Sequence, residues 1–216
     1  MIACRIQHHP SRAHLLPALR EALAPLEAKA LAHSSTPPNP WLGYLACLHD
    51  AMKESFDHLL VIQDDAVPCP NFAPALEQVA ASNPDAPVAL FLARLPREAS
   101  IKAQRMLKCN GGRYVTFSFR SFVPVVALLW PRPVLEMFVT WVGDGAVLPG
   151  DPEPRSDDAV VGRFQAVTRQ EFRACVPSLV QHPDLEPSLI GRRPAWGKDS
   201  GRVALFMAED GLAYEW

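Results

Sequence analysis

Asp64 and Asp65 are the side chains best placed to do chemistry. They follow His58-Leu59-Leu60-Val61-Ile62-Gln63, an apolar run of strand length, and precede the turn residues Ala66-Val67-Pro68. A continuous apolar run suits a parallel strand covered on both faces. Ligands of open α/β sheets bind beyond the carboxyl ends of the strands. Adjacent carboxylates at that point are either a solvated turn or a site for a metal ion and its substrate.

A second acid pair, Asp157-Asp158, follows Ser156 at the start of a helix candidate. Ser156 suits the N-cap, and acids in the first turn complement the helix dipole. One carboxylate is enough for that purpose, which leaves the other for proton transfer if it reaches an acceptor hydroxyl. His9, Ser11 and Arg12 follow the strand candidate Ile2–Ile6, so they too stand at a strand's carboxyl end. Arg192 and Arg193, in a glycine-flanked basic stretch, are either a solvated linker or a clamp on phosphate oxygens. His182 is a single imidazole after the late strand candidate Phe172–Val176.

The elements that must position these groups read as alternating strands and helices. A helix through about Ala28 carries Leu15, Leu16, Leu19, Leu23 and Leu26, and Pro17 puts its start near Leu16. Ala30–Ser34 reads as a short strand and Trp41–Phe56 as a helix, where Gly43 marks close packing or ligand approach. A helix from Asn71 to about Ala81 and a strand Val88–Ala93 follow. Residues 94–112 are polar, with Arg94, Arg97, Lys102, Arg105 and Lys108, and read as a long solvated loop. Arg113–Phe119 and Val123–Trp130 read as strands, and Pro131-Arg132-Pro133 opens a helix. Val203–Met207 is apolar enough to dock as a last strand, and Glu209–Trp216 reads as an uninformative terminus.

Composition narrows the class. The 216 residues suit one domain, are 49% apolar and carry a formal charge of −2. That excludes a wholly disordered chain and a global basic field for nucleic acid. The five cysteines are widely spaced with no Cys-x-x-Cys pair, which predicts free thiols in a reducing compartment rather than a zinc cage. No signal peptide or membrane span is expected, and the expected location is the cytoplasm. The expected fold is α/β: a Rossmann-type single domain with a mostly parallel central sheet flanked by helices and an antiparallel portion around Arg113–Trp130. Residues 1–190 form the catalytic domain in this reading, and 191–216 a tail packed on it.

Leu60-Val61-Ile62-Gln63-Asp64-Asp65-Ala66-Val67-Pro68 resembles the region around the DXD-type motif of GT-A fold glycosyltransferases, with Gln63 where the motif has its first acid. Pro10-Ser11-Arg12, the acidic helix start at Asp157-Asp158, and Pro177-Ser178-Leu179-Val180-Gln181-His182 resemble further segments of bacterial and phage members. The resemblance covers roughly Ile2 to His182 through these four short motifs. It implies transfer of a sugar from a nucleotide-sugar donor, a UDP-sugar in first place, to a hydroxyl acceptor. The acceptor classes are a glycan, a protein or a hydroxylated nucleobase in phage DNA. It implies Mn²⁺ or Mg²⁺ held by Asp65, Asp64 and His182, with Asp64 alternatively on the donor ribose. It further implies donor binding by His9, Arg12, Arg192 and Arg193, and a base at Asp158 or Asp157, with Asp158 favoured. Two other readings use the same residues: a metal-dependent nucleotidyl- or phosphoryltransferase, and a non-catalytic nucleotide-sugar-binding module.

Overall fold

The first strand, β1 (Ile2–His8), enters the middle of a sheet and ends among the candidate site residues. A 3-10 segment, Pro10–Leu15, leads into α1 (Leu16–Leu23). The structure is a computed structural model that describes residues 1–36, 38–94, 96–109, 113–119, 123–146, 156–183 and 203–216. Helix α1 stops short of the expected Ala28 because Ala24 precedes Pro25 and takes extended backbone, as a residue before proline prefers. Then come β2 (Lys29–Ala32), α2 (Pro40–Ala51), β3 (His58–Gln63), β4 (Val67–Pro68) and α3 (Phe72–Ser82). Next in order are β5 (Val88–Ala89), α4 (Arg97–Lys108), β6 (Tyr114–Thr116), β7 (Ala127–Pro131) and α5 (Arg132–Trp141). The last are α6 (Asp157–Thr168), β8 (Arg173–Cys175) and β9 (Val180–Gln181).

Among the described residues, seven strands form one sheet in the order β2-β1-β3-β7-β5-β8-β6. β2, β1 and β3 are parallel, as are β5 and β8; β7 runs against β3 and β5, and β6 against β8. The sheet is therefore mixed and mostly parallel, and helices cover both faces. On one face Leu59 and Val61 of β3 and Leu128 and Trp130 of β7 pack with α2, α5 and α6. On the other, Leu60 and Ile62 of β3 join Cys4 and Ile6 of β1 and the apolar sides of α1 and α3. Each such side chain contributes about 1.5–3 kcal/mol through burial. The run Leu59–Ile62 thus ties both layers to the strand that ends in the acid pair.

The largest departure from expectation is α4, where the sequence predicts a loop. Ala99 and Ala103, four apart, are buried, and Met106 and Leu107 pack against the core. The anchoring residues are small, so the stripe is faint in hydropathy. The outer positions are Arg, Lys, Gln and Glu, which are good helix formers. The predicted strand Val88–Ala93 is regular only over Val88–Ala89. Leu90 still donates to Ala127 O, and its own carbonyl accepts from Leu179 and Val180.

Nor is the terminus uninformative. Leu205 donates to Leu92 O, Ser178 to Phe206 O, and Ala208 to Ser178 O, with a single parallel bridge Ser178–Met207 in place of the predicted strand. Ser82 Oγ donates to Trp216 O, and the Trp216 indole donates to Gly211 O. A Cβ on Gly211 would stand 2.7 Å from Ala75 Cβ, so only glycine lets this segment lie on α3. No helix among the described residues is long and apolar enough to cross a membrane.

Candidate active site

β1 and β3 pair in parallel through Gln7 and Gln63, and Asp64 N–H donates to Gln7 O at 3.1 Å. Continuing that register sets His8 opposite Asp64. With a period of two, His8 and Asp64 fall on the α1 and α3 side of the sheet, and Gln7 and Gln63 on the α2 and α6 side. The two strand ends thus deliver two different groups of side chains.

On the first side, Asp64 Oδ2 lies 3.1 Å from His8 Nδ1 and accepts from His9 N–H at 2.8 Å. Arg12 Nη1 donates to Asp64 Oδ1 at 3.2 Å and to Asp65 Oδ2 at 2.6 Å. The same Asp65 oxygen is 3.3 Å from His182 Nε2. Asp64, Asp65, Arg12 and His182 are 4%, 8%, 7% and 3% exposed. Burial on this scale is unusual for ionised groups unless they are paired.

His182 reaches Asp65 from a distant part of the sequence through a two-stranded ribbon. β4, just after the acid pair, runs antiparallel to β9, with Val67 opposite Gln181 and Pro68 opposite Val180. Gln181 Oε1 in turn accepts from His182 N–H and Ala204 N–H. The ring of Phe91 lies 6.3 Å from the imidazole, and the buried His182 Nδ1 finds no hydrogen-bond partner among the described residues.

On the second side, Asp157 Oδ2 accepts from Gln7 Nε2 at 3.1 Å and has a long contact of 3.5 Å with Gln63 Nε2. Burial pushes its carboxyl pKa up from the ordinary value, against the hydrogen bonds from Gln7 and from Asp158 N–H. Ser156 stands at the N-cap position, but its side chain makes no capping bond. Asp157 Oδ1 accepts from Asp158 N–H at 3.0 Å instead. The expected cap from the Ser156 side chain is therefore corrected: the Asp157 carboxylate accepts at the helix end instead. Asp158 Oδ1 accepts from Val125 N–H at 3.1 Å, and the residue is half-buried.

The structure thus brings Arg12, Asp64, Asp65 and His182 together and links Asp157 to the strand end beside them. The side chain of His9 turns outward to Ser11 Oγ, and only its backbone joins the cluster. Arg192 and Arg193 lie outside the described residues. His8, Gln7 and Val125 are additions that the sequence reading passed over. Strand parity was the available signal for the first two, since His8 follows Cys4 and Ile6 on one face. Gly43 packs on Gln7, whose Cγ would lie 3.5 Å from an added Cβ.

No group of three or more His, Cys, Asp or Glu side chains arranged to hold a metal ion is found among the described residues. Asp65 Oδ2 and His182 Nε2 nevertheless fit one edge of such a site. Ligands at about 2.1 Å on adjacent corners of an octahedron lie about 3 Å apart. Two protein ligands suffice for a cation that takes its remaining ligands from substrate phosphates and water. No family model matches this chain, and no curated protein matches its sequence.

Proposed function

We propose that the protein is a nucleotide-sugar-dependent glycosyltransferase that moves a sugar to a hydroxyl acceptor with the help of Mn²⁺ or Mg²⁺. The observation that carries this reading is the buried Arg12–Asp64–Asp65–His182 cluster at the carboxyl ends of β1 and β3. Oxygen ligands with one imidazole suit a hard divalent cation of this kind. Asp65 and His182 would hold it. Asp64, engaged by His8, His9 N–H and Arg12, fixes the strand end and the guanidinium. When bound, the cation would neutralise charge on the departing nucleoside diphosphate.

The chain's own residues then have distinct parts. Arg12 offers a planar fork of donors to the donor's phosphates or nucleoside. Gln63, which precedes the acid pair and contacts Asp157 Oδ2 at 3.5 Å, would serve in this reading as a contact for the transferred sugar. Asp158 is the base in this reading because a base must be reached by its substrate. It is half-exposed, whereas Asp157 is buried on neutral donors. Among acceptors, the outer face of α4 favours an anionic one, a modified DNA base included. Arg97, Lys102, Arg105 and Lys108 are exposed there, with Arg94 just before it.

A thermal-shift panel of nucleotide sugars with and without Mn²⁺ tests the proposal. A ligand at 100 times its Kd stabilises by about 2.7 kcal/mol, a shift of several degrees for a chain of this size. A Mn²⁺-dependent shift with one UDP-sugar, followed by release of UDP in the presence of an acceptor, is expected. Absence of any shift across the panel overturns the reading.

A further inference from the structure

We propose that Arg12 is a built-in counter-cation that occupies the acid pair until a donor arrives, so that divalent cation and nucleotide bind as a unit. This rests on the nucleotide-sugar reading of the site.

A single nitrogen, Arg12 Nη1, bridges Asp64 Oδ1 at 3.2 Å and Asp65 Oδ2 at 2.6 Å. That Asp65 oxygen is also the one facing His182 Nε2. A cation seated on the Asp65–His182 edge therefore competes with the guanidinium for one oxygen. It also stands beside a like charge in a site shielded from water, where repulsion is poorly screened. A dication arriving alone must displace Arg12 Nη1 from Asp65 Oδ2, which breaks a short buried ion pair and is unfavourable.

A nucleoside diphosphate changes this balance. Its phosphates offer the guanidinium a bidentate partner and the cation its missing oxygen ligands. Arg12 lies on the short 3-10 segment Pro10–Leu15, after β1 has ended, so its backbone is not part of the sheet pairing. Each ligand then raises the other's affinity by the same factor, as linkage requires.

The test is calorimetric titration of Mn²⁺ into wild type, Arg12→Met and Arg12→Lys, each with and without UDP. For wild type, UDP should tighten Mn²⁺ binding at least about tenfold. Arg12→Met should bind Mn²⁺ alone at least about tenfold more tightly than wild type and lose most of the effect of UDP. Arg12→Lys keeps the charge and should stay close to wild type with Mn²⁺ alone. Equal or weaker Mn²⁺ affinity in Arg12→Met overturns the proposal. If Arg12→Met does not fold, wild type decides: equal Mn²⁺ affinity with and without UDP overturns it. If Arg12→Met gains Mn²⁺ affinity while UDP binds to none of the proteins, Arg12 still seals the acids and the nucleotide-sugar reading fails instead.

Discussion

Two buried arginines stand along the same stretch of chain, and their surroundings differ in kind. Arg5, in the middle of β1, donates to Asp50 Oδ2 at 2.8 Å and reaches Glu54 Oε2 at 2.7 Å. Lys29 joins from β2, 2.7 Å from Asp50. Here Arg5, Lys29 and, at 3.9 Å from Asp50, Lys53 meet the carboxylates of Asp50 and Glu54, and the outer members Lys29, Lys53 and Glu54 are half exposed or more. The hydrogen bond from the Lys29 ammonium, then that from Arg5, holds the Asp50 carboxyl below its ordinary range. In the Arg12 cluster one guanidinium touches two carboxylates, and all three are buried. The imidazoles of His8 and His182 also reach those carboxylates. The first cluster leans on water, as expected of a brace between β1 and α2. The second is buried at each of these members. Desolvating such groups is costly and adds little stability. Ionisable groups buried together at strand ends are what a functional site commonly shows.

The sharpest break between the clusters is expected from Asp65→Asn, which removes one carboxylate and leaves Arg12 its Asp64 partner. Transfer at saturating acceptor should fall by about 10²-fold or more, and Mn²⁺-dependent UDP affinity should drop toward its metal-free value. Denaturant melts should show a change in stability within about 1 kcal/mol, because the retained pair still neutralises the guanidinium. Unchanged turnover in a folded Asp65→Asn protein would remove the functional half of the contrast.

The converse substitution is Arg5→Met, in the Asp50 cluster. It strands Asp50 against β1 and should cost about 2–3 kcal/mol. That lies below the range for a fully buried pair because Lys29 and water remain beside Asp50. UDP and Mn²⁺ affinities should stay at wild-type values. Urea melts and calorimetry on the same preparation check both, and a stable variant with altered Mn²⁺ binding would show that the two clusters are not separate.

A third, smaller effect comes from a buried acid held by neutral donors. Asp157 accepts from amide groups of Gln7, Gln63 and Asp158, and burial raises its pKa above the ordinary 3.8. The folded state then holds the proton more tightly than the unfolded chain. Stability due to this group is greatest below about pH 3.8 and is lost as pH rises from there through the folded pKa. The slope in that window is at most about 1.4 kcal/mol per pH unit. Asp157→Asn should flatten it, as read from melts at a series of pH values rising from about pH 3.8. An identical slope in both proteins would mean that Asp157 is ionised as easily folded as unfolded.

Much of the architecture was legible in local pattern. The β3 run, the helix beginning near Leu16, the helix opened by Pro131-Arg132-Pro133 and the α6 start each follow from apolar spacing and proline chemistry, which act within a few residues. Helix α4 was hidden because alanines anchor it, and hydropathy underrates small buried residues. The ends of β5 and the path of Glu209–Trp216 depend on partners far along the chain, such as Leu179, Ser178 and α3.

The candidate site divides in the same way. The sequence by itself determined that Asp64 and Asp65 end a buried strand, that Arg12 follows another, and that two acids open a helix. Those facts reside in residue order and strand period. Only the tertiary structure decided that His182 faces Asp65, through the β4–β9 pairing. Only there does one Arg12 nitrogen bridge both carboxylates, and only there does Asp157 replace Ser156 as the acceptor at the α6 start while it anchors to β1. Each of these is a contact between segments remote in sequence, set by strand register and the packing of two helical layers. No local preference encodes it.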